Sequence, residues 1–119
     1  MKVGEKIGIT VVPGMELCTS EEIHNVCLFP SLEKAMAFSQ YIRGTLPSVP
    51  NREKIFGEQL IMDCEDGILG KEDILLTTAS SVSISELDEL VKKYGGVSYP
   101  AHIDRSSYSI ISSLGDFPD

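Results

Sequence analysis

Gly and Pro divide the chain into short apolar segments, and this division constrains the fold more than any other feature of the sequence. Residues 7–17 are apolar and β-branched until Pro13 and Gly14, which predicts a buried strand that reaches a turn. Residues 22–29 predict a second strand, which ends at Pro30. Its side chains alternate between two faces, one with Ile23, Asn25, Cys27 and Phe29 and the other with His24, Val26 and Leu28.

Two later segments have the spacing of amphipathic helices. The first helix is predicted over residues 32–43, with Ser31 as its N-cap and Gly44 as a natural stop. The second follows residues 83–86, Ser-Ile-Ser-Glu, which fit a capping box. The Gly-Gly pair at residues 95–96 would end that helix. Each helix therefore has one apolar face.

A hairpin and a last strand complete the pattern. Residues 58–64 and 68–76 flank an Asp-Gly turn signal, which predicts an inserted β-hairpin at the surface. Residues 97–101 predict a short strand that leads into His102. The order strand, strand, helix, hairpin, helix, strand indicates α/β or α+β organisation. Helix-to-strand passages build βα barrels, although 119 residues are about half of the ~250 in a complete barrel.

Composition and charge exclude several classes of protein. Hydrophobic residues make up 42% of the chain, enough to bury a core, which argues against disorder. No apolar run approaches the ~20 residues that cross a bilayer, and the N-terminus lacks the basic segment and apolar core of a secretory signal. The formal net charge of −8 repels nucleic-acid phosphates. We therefore expect neither a nucleic-acid nor a membrane partner.

The cysteines favour a cytoplasmic location. They are Cys18, Cys27 and Cys64, an odd number in which no pair has C-x-x-C spacing. A disulfide framework or a zinc knuckle is therefore not expected. We expect three reduced thiols in a cytoplasmic protein.

Three residues are candidates for metal binding. His24 interrupts an apolar strand, His102 follows the last strand, and Glu16 comes at the end of the first apolar run. In βα architectures, polar residues at the carboxyl ends of strands are where sites are built. Imidazole and carboxylate together suit Zn, Mn or Fe. Spacing alone leaves the alternative open, namely a hydrogen-bonded core histidine and a solvated glutamate.

Two runs of sequence resemble motifs of one enzyme family. Residues 12–30 read VPGMELCTSEEIHNVCLFP, and residues 99–105 read YPAHIDR. They resemble the "PGxE…EIHxLxxFP" and "xPAHxxR" segments of the PHP (polymerase and histidinol phosphatase) family of metal-dependent phosphoesterases. Between them, residues 56–78 and the helix from residue 84 resemble an insert of a bacterial branch. The resemblance covers nearly the whole chain.

The resemblance implies roles for individual residues. It makes Glu16, His24 and His102 ligands of divalent metal ions, Mn, Zn or Fe, so their functional atoms should lie within roughly 8 Å of one another. It makes Arg105 a phosphate contact, because a guanidinium binds phosphate oxygens bidentately, although a surface arginine is the open alternative. Asp104 and Glu22 are interpreted as solvated or as supports of neighbouring ligands. The implied reaction is hydrolysis of a small phosphorylated substrate by metal-activated water.

The departures from the family pattern also lead to expectations. Neither the His-x-His motif nor the Asp-x-His motif of the family occurs in the chain. We therefore expect residues 1–119 to form a single partial PHP domain, a fragment of a distorted, TIM-like βα barrel with an inserted β-hairpin. Its metal site would be incompletely ligated, and the chain alone would have low or no activity.

Two further expectations follow from a partial barrel. A noncatalytic metal-binding or protein-interaction module derived from such a domain is the alternative function. Exposed strand edges would pair with a second copy of the chain, which predicts a homo-oligomer.

Overall fold

Most of the strands and the two long helices follow the apolar segments of the sequence. The computed structural model describes residues 1–116, and the bounds below refer to that part of the chain. The strands are β1 (Gly14–Cys18), β2 (His24–Leu28), β3 (Leu60–Met62), β4 (Ile68–Lys71) and β5 (Val97–Pro100). The helices are α1 (Lys2–Ile7), α2 (Leu32–Arg43), α3 (Glu53–Phe56), α4 (Ile84–Lys93) and α5 (Ile110–Leu114).

The central sheet has the strand order β1-β2-β5 and is antiparallel throughout. Strands β1 and β2 form a hairpin in which Cys18 lies opposite His24. In the turn between them, the Thr19 side chain accepts a hydrogen bond from the Ile23 N–H, and Glu22 has a φ of 60°. Strand β5 pairs with the other edge of β2, with Tyr99 opposite Val26. The α/β class is therefore confirmed, whereas the strands described form no closed barrel.

One face of this sheet packs against α2 and α4. Alternate residues of β2 point into the core, and the helices contribute pairs at i and i+4, Phe38 with Ile42 and Leu87 with Val91. Phe38 is fully buried, with its ring centroid 4.8 Å from that of Phe29. Burial of a side chain of this size stabilises the fold by roughly 1.5–3 kcal/mol. The core members are Leu17, Cys27, Phe29, Phe38, Ile42, Val82, Leu87 and Val91.

Capping side chains fix where the two long helices begin. The Ser31 hydroxyl accepts a hydrogen bond from the Lys34 N–H, and Ser83 and Glu86 form the predicted capping box. The Glu21 carboxylate also accepts a hydrogen bond from the Ile84 N–H at 3.0 Å. The turn of the β1–β2 hairpin is thereby tied to the start of α4.

The predicted β-hairpin is present and is held to α2 by polar contacts. Strands β3 and β4 pair antiparallel, with Ile61 opposite Gly70. Arg43 of α2 donates two hydrogen bonds to Glu72, at 3.0 and 2.9 Å. The Gln59 side chain donates to the backbone carbonyls of Glu72 and Ile74. The strands are shorter than predicted, and their apolar side chains remain exposed.

Two parts of the chain differ from the sequence-based predictions. Residues 7–17 do not form one strand: α1 ends at Gly8, whose φ is 73°, and β1 begins only at Gly14. In the tail, for which no element was predicted, α5 forms because Ser109 caps it and buries its own side chain. Among residues 1–116, none of the helices has the length and apolarity needed to cross a membrane.

Candidate metal centre

The second face of the β1-β2-β5 sheet, opposite the core, carries the candidate site. Since side chains alternate along a strand, Leu17 enters the core while Glu16 and Cys18 point to the other face. On β2, buried Asn25 and Cys27 alternate with half-buried His24 in the same way. The alternation that builds the core therefore also places polar side chains on the opposite face.

Backbone hydrogen bonds from two later segments position His24. Its carbonyl accepts a hydrogen bond from the Ala101 N–H at 2.9 Å, which extends the β2–β5 pairing by one residue. Its N–H donates to the Tyr108 carbonyl at 3.1 Å. His102 follows Ala101 directly, so the same pairing brings both imidazoles to one end of the sheet.

Glu16, His24 and His102 come together in space. Each offers one ligand atom, and these atoms all lie within 4.8 Å of one another. The His24 Nδ1 atom is 2.9 Å from Glu16 Oε1, and the two imidazole centroids are 5.5 Å apart. The expected convergence is therefore confirmed. Ligands of one ion each lie ~2.0–2.2 Å from it, so side-chain shifts of about an ångström would let all three bind.

The site is half-open, and one of its nitrogen atoms lacks a partner. Glu16 is exposed, whereas both histidines are half-buried. The Nδ1 atom of His102 is buried and has no hydrogen-bond partner among the residues described. A buried polar atom without a partner is costly, and an ion is one way to satisfy it. The donor set, two imidazoles and one carboxylate, matches that of catalytic zinc sites and also suits Mn or Fe.

The positions of the three residues along their strands differ from expectation. Glu16 lies in the middle of β1 rather than at its end, since the strand begins only at Gly14. His24 is the first residue of β2, and His102 lies two residues beyond β5. Antiparallel pairing brings the amino end of β2 beside the carboxyl ends of its two neighbours. That is why the three side chains still meet.

A cleft of about 460 Å³ opens beside the site, and it contains residues that sequence reasoning missed. Its lining residues are Glu16, Cys18, His24, Leu76, Thr77 and Tyr108. Partial burial, with smaller contributions from Glu22 and Glu16, raises the pKa of the Cys18 thiol. The Cys18 thiol is therefore protonated near neutral pH in the folded chain. Its place opposite His24 follows from the strand register, which the sequence alone did not supply.

Tyr108 is the second residue that the sequence did not reveal. Its ring stacks on the His24 imidazole, with centroids 4.6 Å apart and an interplanar angle of 24°. Its φ is 55°, a left-handed conformation that is unusual for a bulky residue. No periodicity marks this position, because Tyr108 lies in a loop of the tail, outside the strands and helices.

Arg105, the predicted phosphate contact, is not among the residues that line the cleft. It is exposed, and its carbonyl accepts a hydrogen bond from the Ser109 hydroxyl at 2.7 Å. Its role in phosphate binding stays a prediction. Asp104 and Glu22 are also exposed, as expected of solvated carboxylates.

Comparison with known proteins supplies no indication of the chemistry, which is therefore inferred from the geometry of the site. Neither the protein-family models, the curated proteins nor the solved structures contain a match to this chain. The convergence of two imidazoles and one carboxylate is therefore the observation from which a function can be argued. These three side chains could hold one metal ion.

Proposed function

We propose that this chain binds one divalent transition-metal ion through Glu16, His24 and His102 and uses it to hydrolyse phosphate esters. The convergence of the three ligand atoms within 4.8 Å carries the metal-binding part. The likeness of residues 12–30 and 99–105 to the PHP motifs supports the hydrolytic part. When bound, the ion would supply an activated water and a positive charge that polarises the phosphoryl group.

The charges of the site favour a small phosphorylated substrate. With two neutral imidazoles and one carboxylate, a site holding a divalent ion carries a net charge of +1. The chain as a whole carries −8, so a long polyanion would be repelled beyond the cleft. A phosphomonoester meets mainly the local positive charge. Arg105 would add a second cation if its exposed side chain turns towards the cleft.

Three protein ligands also set a limit on activity. Among the residues described, no fourth carboxylate, thiol or imidazole joins the group at the same distances. Two-metal hydrolysis needs both the attacking and the leaving oxygen clamped. A single ion, with one exposed ligand and several positions left to water, meets only part of this need. We therefore propose that the chain alone turns over its substrate slowly.

The PHP motifs also support a finer proposal about the fold, that the chain is part of a distorted βα barrel with an inserted hairpin. The hairpin β3–β4 lies where the insert was expected. The antiparallel pairing of β1, β2 and β5 differs from the parallel strands of a barrel. The support for this proposal is therefore that the two motifs occur in this chain in the same order as in the family.

A noncatalytic metal-binding or interaction module is the second candidate. The observation that favours it is exposed apolar surface on β5, an edge strand of the central sheet, where Val97 and Tyr99 are 61% and 50% exposed. We propose that such edges pair with a second copy of the chain. Light scattering over a wide concentration range should then show a dimer or larger species, and a monomer throughout would contradict this.

A phosphatase screen tests the hydrolytic proposal. The purified chain is incubated with a panel of small phosphomonoesters and Mn²⁺. The controls are the His102→Ala variant under the same conditions and Mn²⁺ without protein. We expect slow turnover that exceeds the free ion and is lost in His102→Ala. Metal binding with no turnover above the free ion would refute the hydrolytic part and favour the noncatalytic module.

A further inference from the structure

The ring of Tyr108 covers one face of the His24 imidazole. The two rings are nearly parallel, with an interplanar angle of 24° and centroids 4.6 Å apart. This separation lies at the short end of the range for aromatic pairs, in which offset stacking is favourable. The edge of the same imidazole contacts Glu16, with 2.9 Å between Nδ1 and Oε1. His24 is therefore contacted on its face and on its edge by two different segments of the chain.

The backbone around Tyr108 holds its ring in this place. Its carbonyl accepts the hydrogen bond from the His24 N–H, so backbone and ring contact the same residue. The next residue, Ser109, is fully buried, and its hydroxyl donates to the Arg105 carbonyl. Ile110, which follows, is 3% exposed. These anchors keep Tyr108 at a φ of 55°, which a tyrosine rarely adopts.

A stacked neighbour fixes the rotation of an imidazole about its Cβ–Cγ bond. That rotation decides where both ring nitrogens point, and a metal ligand must point at its ion. Glu16, which contacts the edge of the imidazole, is exposed, and an exposed side chain orients a ligand less firmly than a packed ring does.

We propose that Tyr108 is a positioning residue for metal binding, whose ring holds the His24 imidazole in the orientation that brings it to Glu16 and His102. This inference rests on the proposed metal centre. In this proposal Tyr108 acts through its ring and not as a ligand. Loss of its ring should therefore weaken metal binding while leaving the three ligands in the chain.

Three variants at position 108 separate the ring from the backbone. Tyr108→Phe keeps an aromatic ring to stack. Tyr108→Gly removes the ring and suits a positive φ, so the backbone should keep its course. Tyr108→Asn also removes the ring, and asparagine tolerates this conformation better than most residues. The matched control is Tyr41→Ala, which removes a tyrosine of similar exposure from α2 on the other side of the sheet.

Nuclear magnetic resonance of the metal-free protein reads the stack directly. The chain has two histidines, so their ring protons give few signals. We expect ring-current shifts of the His24 protons in the wild-type chain, in Tyr108→Phe and in Tyr41→Ala. These shifts should become clearly smaller in Tyr108→Gly and Tyr108→Asn, in which the His102 ring, 5.5 Å from that of His24, is still present. Unchanged shifts in both variants would show that the ring of Tyr108 does not stack on His24.

Zn²⁺ titration then tests the consequence. Tyr108→Phe and Tyr41→Ala should bind within about twofold of the wild-type chain, and the variants without a ring about tenfold more weakly. Equal affinity in folded Tyr108→Gly and Tyr108→Asn would overturn the role of Tyr108 while leaving the metal centre intact. If the wild-type chain binds no Zn²⁺, the metal centre itself fails, and the role of Tyr108 fails with it. Should one ringless variant not fold, the other decides.

Discussion

The Nδ1 atom of His24 lies 2.9 Å from the Oε1 atom of Glu16, across the antiparallel pair of β1 and β2. The two residues are not direct partners in the register, since Glu16 lies opposite Val26 and His24 lies opposite Cys18. They are diagonal neighbours on one face, a separation that long side chains can span. The strand register of a single hairpin thus creates two-thirds of the candidate ligand set.

Gly96 should be far less tolerant of a side chain than Gly70. A Cβ at position 96 would lie 2.5 Å from the Leu28 carbonyl oxygen and 2.7 Å from Cδ1 of Phe29. The carbonyl belongs to the backbone of the central sheet, so it cannot shift away without a cost in stability. Gly96→Ala should therefore lower the free energy of unfolding by about 1–3 kcal/mol. Gly70→Ala meets no atom within 4 Å and should change it by at most about 0.5 kcal/mol. Urea unfolding compares the two, and equal effects would show that β5 does not approach β2 as described.

The three cysteines should react with a thiol reagent in a fixed order. Cys64 is exposed, whereas burial raises the pKa of Cys18, and burial raises the pKa of Cys27 to about 12. Because the thiolate is the reactive form, a raised pKa slows the reaction. We expect Cys64 to react first, Cys18 more slowly, and Cys27 only when the chain unfolds. A Cys64→Ser variant that keeps its fast phase at pH 8 would contradict this order.

The Arg43–Glu72 pair should make stability depend on pH in the acid range. Hydrogen bonds from Arg43, and then from the Ile74 N–H, lower the pKa of Glu72 in the folded chain. A carboxylate with a lowered folded-state pKa stabilises the fold above its unfolded-state pKa, and this contribution is lost as pH falls through the folded-state value. The difference in urea midpoint between the wild-type chain and Glu72→Gln should therefore shrink as pH falls from about 7 to about 3.

Glu33→Gln is the matched control for that experiment. Glu33 is exposed in the first turn of α2, so its removal should leave the pH profile close to that of the wild-type chain. A constant difference between the wild-type chain and Glu72→Gln at every pH would show that the pair is not formed.

The sequence predicted those parts of the fold that depend on residues close together in the chain. Helix α2 covers the predicted residues 32–43, because the Ser31 cap and Gly44 act on their immediate neighbours. The capping box of α4 and the turn of the β3–β4 hairpin are equally local. The pairing of β5 with β2 joins residues 69 to 75 positions apart, and no local pattern specifies such a partner or its direction.

The residues of the candidate site likewise divide into those that the sequence identified and those that it did not. Glu16, His24 and His102 were identified from motifs, and their convergence is confirmed. Cys18 and Tyr108 were not identified, since each reaches the cleft through a pairing or a loop that only the folded chain specifies. Metal binding, phosphate-ester hydrolysis and the role of Arg105 stay predictions.

Calorimetric titration of Zn²⁺ into the metal-free chain tests the central claim most directly. We expect one ion per chain in the wild-type protein and in Glu33→Gln, whose lost carboxylate lies on the exposed side of α2. His24→Ala and His102→Ala should each lose stoichiometric binding, and Glu16→Gln should bind more weakly, because each removes one of the three ligands. No stoichiometric binding by the wild-type chain, or equal binding by His102→Ala, would contradict the assignment of this metal centre.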